Sequence, residues 1–116
     1  MRYINQIEPV RKALIIGSPG MEGIDYLYSA STDVTNIKNH LLSSRGGRWV
    51  EDEIIVLWDP CLAELTGFIQ NIIADYLFVY YAGHGYETYV GERRICLNDA
   101  DVSDFFLLNN SPRQLV

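Results

Sequence analysis

From Tyr76 to Ala82 the chain sets seven apolar or aromatic residues in a row, Tyr-Leu-Phe-Val-Tyr-Tyr-Ala, and the run stops at Gly83. Tyr, Phe and Val favour strands, and a run without alternation suits a strand covered on both faces, as in a parallel sheet with helices on either side. The rest of the chain must therefore supply two covering layers. His84 follows between Gly83 and Gly85. The flanking glycines are expected to let the backbone turn sharply and present an imidazole at the carboxyl end of the strand, where open α/β sheets place their chemistry.

The covering layers can be read on either side of that strand. Lys12-Ala-Leu-Ile-Ile-Gly17 is a short apolar run stopped by Ser18-Pro19-Gly20, which predicts a strand near 12–17 and then a loop. From Asp33 onward Val34, Ile37, Leu41 and Leu42 fall at i, i+3, i+7 and i+8, the stripe of an amphipathic helix near 33–44. Ser31, Thr32 or Asp33 can cap it, and Gly46-Gly47 closes it. Glu53 to Trp58 predicts a second buried strand near 53–58. Asp59-Pro60 then signals a helix near 60–74, carried by Leu62, Leu65, Ile69, Ile72 and Ile73. The third strand is the central run near 76–82. The order β-α-β-α-β predicts three parallel neighbours with right-handed crossovers and the first strand in the middle.

Beyond His84, Thr88–Val90 and Arg93–Leu97 flank Gly91-Glu92 and predict a small hairpin. Asp99 to Asp104 offers a cap for a third helix near 101–109, broken at Ser111-Pro112, and Gln114-Leu115-Val116 reads as the opening of another strand. The 116 residues allow one domain with a single core.

Charge and cysteine usage narrow the classes of function. Fifteen acidic residues against nine basic ones, a net charge of −6, argue against a nucleic-acid partner. No apolar run is long enough for a signal core or a membrane span, and Cys61 and Cys96 form no Cys-x-x-Cys pair, so a cytoplasmic protein with two free thiols is expected. His40, His84, Cys61 and Cys96 lack metal-ligand spacing, and no cofactor or metal is expected. Gly17, Gly20 and Gly23 lack the Gly-Lys-Ser/Thr of a phosphate loop and read as a turn.

The segment Val79-Tyr-Tyr-Ala-Gly-His-Gly85, ending an apolar strand after a β-α-β-α unit, resembles the histidine motif of caspase-like cysteine peptidases, especially metacaspases and their prokaryotic relatives. Thr32 to Leu41 resembles the first helix of that family, and Leu97-Asn-Asp-Ala100 a stretch that follows its histidine. The resemblance implies a doubly wound three-layer α/β sandwich with a mostly parallel sheet. It also implies cysteine-type endopeptidase activity on a protein or peptide substrate. Such an enzyme needs an imidazole to activate a thiol and protonate the leaving amine, plus backbone donors for the oxyanion. His84 would be the general acid/base and the Gly85 amide one oxyanion donor. Asp33 falls where metacaspases place an acidic residue of the pocket that receives the side chain before the scissile bond; a simple helix cap is the competing account.

One departure is large. In caspases the histidine precedes the catalytic cysteine by roughly 50 residues, and 32 residues follow His84 here. Cys96 lies on the predicted hairpin and Cys61 at the start of the second helix, away from the strand ends, and both read as small hydrophobes rather than reactive thiols. The chain is therefore expected to be the front part of a peptidase domain, 1–116, incomplete at its C-terminus and needing a remainder that carries the cysteine. A catalytically inactive caspase-like regulatory module and an unrelated small-ligand-binding α/β domain are the two alternatives.

Overall fold

A computed structural model describes residues 9–20 and 27–103 and the backbone of Arg113–Leu115. Strand β1, Arg11–Ser18, lies between β2, Ile54–Trp58, and β3, Tyr76–Gly83, and both pairings are parallel. A further strand, Arg113–Leu115, pairs in parallel with Tyr76–Phe78 on the far side of β3. The three expected strands and their order are present. The short strand at Gln114 extends the sheet as its apolar residues suggested.

Why β1 and β3 are continuous apolar runs is visible in their two faces. Ala13 and Ile15 pack with Ala30, Val34 and Leu41 of helix α1, Ser29–Leu42. Leu14 and Ile16, with Leu77 and Val79, pack on the opposite face with Leu65 and Ile69 of helix α2, Leu62–Asn71. Residues 13 to 16 are wholly removed from solvent. A doubly wound three-layer α/β arrangement results, with α1 and α2 on opposite faces. Among the described residues no helix is long and apolar enough to cross a membrane.

Both helices depart from their expected limits for local reasons. Helix α1 begins at Ser29, four residues early, because Ala30 extends the buried stripe Val34, Ile37, Leu41 back by one turn. Its start is held by backbone bonds, Leu27 N–H to the Pro19 carbonyl at 2.6 Å and Ala30 N–H to that of Leu27 at 3.1 Å. Ser31, Thr32 and Asp33 are therefore helical residues, and none of them is the cap. The Gly46-Gly47 stop is as expected: a side chain at Gly46 would run into the His40 carbonyl, and Gly47 has φ 104°.

Helix α2 begins later than Asp59-Pro60 suggested. Asp59 has φ 52° and donates its N–H to the Gly17 carbonyl at 2.6 Å, which leaves it in the loop. The helix start is capped from 37 residues away, where Asp99 Oδ1 accepts the Leu62 N–H at 2.8 Å. Asp99 thus caps α2 instead of opening a third helix. Its carboxylate also meets the positive end of the helix dipole.

The region after His84 is a second, antiparallel sheet made of β4, Gly85–Glu87, β5, Arg93–Cys96, and β6, Asp101–Ser103. The expected hairpin is present with its first strand earlier than predicted. Thr88 to Glu92 is the connection, where Thr88 and Glu92 are bonded through backbone and hydroxyl and Gly91 takes φ 87°. The helix expected near 101–109 is strand over Asp101–Ser103, because the cross-strand pair Cys96 and Asp101 continues the sheet; residues 104–109 lie outside the described part. Ile95 and Leu97 turn into the core beside Leu65, so this sheet packs on the α2 face.

The Asp99 contact predicts a measurable loss. Asp99→Ala should destabilise the chain by about 1 kcal/mol, read as a lower denaturant midpoint with an unchanged slope. Asp99→Asn keeps an acceptor oxygen and should lose less. Equal midpoints for Asp99→Ala and the parent chain would contradict this account of the α2 start.

Candidate functional site

The three parallel strands end together. Ser18 is aligned with Gly83 and Gly17 with Trp58, so the ends of β1, β2 and β3 form one carboxyl edge, and His84 is the first residue beyond it. His84 is half-buried. The chain does not turn sharply there; it passes from β3 into β4 with one residue between them. Gly83 serves close approach instead, because a side chain at this position would collide with the Ser18 carbonyl and lie 2.7 Å from the Tyr81 hydroxyl.

Below His84 a part-buried polar knot holds the backbone. The Tyr81 hydroxyl lies 2.6 Å from the carbonyl oxygen of His84 and 2.6 Å from that of Cys96. The Cys96 N–H donates to the same His84 carbonyl at 3.0 Å. Ser18, only 2% exposed, bonds the Tyr81 hydroxyl as well. Burial pushes the Tyr81 phenol up to about 12, so it stays protonated throughout the neutral range. In the sequence Tyr81 reads as one more apolar residue of the strand, and nothing in the run separates it from Tyr80.

Gly85 begins β4 and pairs with Ile95. In an antiparallel ladder alternate residues direct both backbone groups at the partner strand. The His84 carbonyl faces Cys96 of β5, so the Gly85 N–H faces the other way, toward the outer edge of β4. The two residues expected to work together are consecutive, His84 just beyond the carboxyl edge and the Gly85 amide turned to the outer side of β4.

Asp33 sits on the face of the sheet that α1 covers. Its neighbour Val34 is buried, and a side chain at Gly17 would come within 3.0 Å of the Val34 Cγ2 and overlap the Trp58 ring. Asp33 is the fifth residue of α1 and half-buried, in the part of the helix that meets the carboxyl ends of the strands. Trp58, which the sequence reads as part of a buried strand, is 44% exposed beside the same glycine.

The two thiols are nearer the edge than their sequence positions suggested. Cys61 follows the end of β2 by three residues and precedes α2, with its N–H 3.3 Å from Glu64 Oε1. Cys96 is bonded through its backbone to His84 itself. Its thiol, however, is pushed up by burial first and by the neighbouring Asp101 carboxylate second. That is the opposite of what an attacking thiolate requires. Among the described residues no group of three or more His, Cys, Asp or Glu is placed to hold a metal ion.

A separate cavity of about 660 Å³ lies along α2 and is lined by Lys12, Ile55, Gly67, Phe68 and Ile73 among others. It includes none of His84, Gly85 and Asp33. Of the glycine-rich loop, Gly20 takes φ 90°, and 21–26, on which the expected turn falls, lie outside the described part.

No protein-family model matches the chain. It is similar to a protein named Metacaspase-1 from Eremothecium gossypii, 34% identical over 91 residues. The match takes in 67% of this chain and 20% of that protein, so the chain spans about a fifth of the length of the relative it matches.

Proposed function

We propose that the chain supplies the histidine-bearing part of a caspase-like cysteine endopeptidase, with the nucleophilic thiol brought by residues outside these 116. The observation that supports the reading is the placement of His84 and Gly85: a histidine just beyond the carboxyl edge of a parallel sheet, followed at once by an amide on the outer side of β4. The similarity to Metacaspase-1 supports it.

In that reaction His84 takes the proton of the incoming thiol, and the thiolate attacks the scissile carbonyl. A C–S bond forms, and the carbonyl π electrons move onto oxygen, where the Gly85 N–H stabilises the charge. His84 then returns the proton to the leaving amine as the C–N bond breaks. Water, deprotonated by the same imidazole, hydrolyses the thioester and restores the thiol. Neither Cys96, held protonated beside Asp101, nor Cys61, at the start of α2, takes the nucleophile's part. Asp33 gives the pocket a carboxylate for an Arg or Lys side chain, with Trp58 near the same edge.

The Cys96 thiol, pushed up by burial and then by Asp101, supports a second reading, a caspase-like module that binds without cleaving. Activity separates the two. The 116-residue chain alone should not cleave peptides, and cleavage should appear when a segment carrying the thiol is supplied in the same chain or as a second one. In the active protein His84→Ala should lower kcat by about three orders of magnitude or more, whereas Cys61→Ser and Cys96→Ser should change it little. Cleavage by the 116 residues alone, abolished by Cys96→Ser, would overturn the assignment of the nucleophile. An inactive restored protein would favour the binding module.

Specificity follows from Asp33. Matched peptides ending in Arg or Asp should differ in kcat/KM in favour of Arg, and Asp33→Asn should shrink the difference. Faster cleavage after Asp would remove Asp33 from the pocket.

A further inference from the structure

The Tyr81 hydroxyl is part-buried and bonded on several sides, a polar atom at the end of an otherwise apolar strand. Its ring packs at the margin of the cluster around Leu65 and Leu77, and its oxygen reaches past Gly83 to the backbone on which His84 is mounted. A phenol has one proton to donate, and both carbonyls within 2.6 Å can only accept. That proton is therefore committed to the His84 and Cys96 carbonyls, and the Ser18 hydroxyl is left to donate to the phenol oxygen. Gly83 leaves the passage open, since a side chain there would crowd both the Ser18 carbonyl and the Tyr81 hydroxyl.

The consequence lies on the other side of the peptide bond. The unit from His84 to Gly85 is planar, and in a trans peptide the carbonyl and the N–H point in opposite directions. Whatever fixes the His84 carbonyl fixes the direction of the Gly85 N–H. The Cys96 N–H at 3.0 Å holds that carbonyl from β5, and the Tyr81 hydroxyl at 2.6 Å holds it from β3. Two donors on different strands leave the plane little freedom to rock, and β5 cannot shift without also losing the Tyr81 contact to Cys96.

We propose that Tyr81 is a positioning residue for the oxyanion site: by donating to the His84 carbonyl, its hydroxyl sets the plane of the His84 to Gly85 peptide and so aims the Gly85 N–H. The proposal rests on the peptidase reading for its catalytic meaning, while its geometric content stands apart from catalysis. Preorganised donors are effective because they need no rearrangement as charge develops, so an amide free to rock loses part of its effect on kcat. Substrate binding in the ground state makes little use of that amide. The signature of Tyr81→Phe is therefore a fall in kcat of about ten- to a hundredfold with KM unchanged.

The test has two arms. In the 116-residue chain the amide resonance of Gly85 is followed by 1H–15N correlation spectroscopy in the parent, in Tyr81→Phe and in a chain with 3-fluorotyrosine placed at position 81. The first variant removes the donor and the second makes it stronger at nearly the same shape. The Gly85 resonance should move in opposite directions in the two, with Ile15 and Val56 unchanged. A Gly85 resonance that stays in place in folded Tyr81→Phe overturns the proposal. Should Tyr81→Phe fail to fold, an unmoved Gly85 in the fluorotyrosine chain overturns it equally. In the second arm the active protein is assayed with a fluorogenic peptide ending in arginine. An unchanged kcat for Tyr81→Phe, where His84→Ala abolishes turnover, also overturns it. Cleavage indifferent to His84→Ala sinks the peptidase reading instead, and the Gly85 shift, measured without substrate, tells the two failures apart.

Discussion

Strand β1 has nowhere to go but inside. Ala13, Leu14, Ile15 and Ile16 keep no exposed surface, with β2 and β3 at their two edges and the helix layers on their two faces. Full burial of side chains such as Leu and Ile contributes roughly 1.5–3 kcal/mol each, so an arrangement that uncovered either face would lose several such contributions at once. The one-residue register between β1 and its neighbours is fixed by the same demand, because a slip would exchange the α1 face for the α2 face. The candidate site inherits that register. Ser18 aligns with Gly83 and Gly17 with Trp58 because the residues beneath them are packed without alternatives.

A core of this kind places the strand ends but does not orient a side chain beyond them. That task falls to polar contacts between the two sheets. Asp99 accepts from the start of α2, Asn98 Nδ2 donates to Asp59 Oδ2 at 3.1 Å, and the Asn98 N–H donates to the Pro60 carbonyl at 3.1 Å. Together they tie the loop that follows β5 to the carboxyl edge at β2. Tyr81 and the His84 carbonyl hold Cys96, the last residue of β5, beside β3. Each contact is worth roughly 0.5–1.5 kcal/mol net, small beside the core. Their importance lies in where they act, since His84 sits on the single residue that joins the sheets.

The parallel sheet was legible because its signal is long and redundant. Three apolar runs and two stripes at helical spacing admit few arrangements, and the Tyr76 to Ala82 run alone demands cover on both sides. His84 stood out for the opposite reason, as a polar residue between glycines at the end of such a run. What the chain order concealed was non-local. Asp99 looks like the cap of a following helix, and only the fold shows that it caps Leu62. Cys96 looks remote from His84, yet antiparallel pairing puts its amide on the His84 carbonyl. Gly83 suggested a turn, whereas its conformation is ordinary and its smallness is what counts. Tyr81 was hidden because its ring satisfies the apolar pattern while its hydroxyl carries the information.

The central claim is that His84 and Gly85 face one reacting carbonyl. The most direct measurement is a crystal structure of the active protein with a peptide aldehyde ending in arginine, trapped as the hemithioacetal on its nucleophile. The account predicts the hemithioacetal oxygen about 3 Å from the Gly85 nitrogen, the sulfur within reach of the His84 ring, and the arginine beside Asp33. An adduct on Cys61 or Cys96, or a peptide seated in the cavity along α2 with His84 untouched, would contradict it.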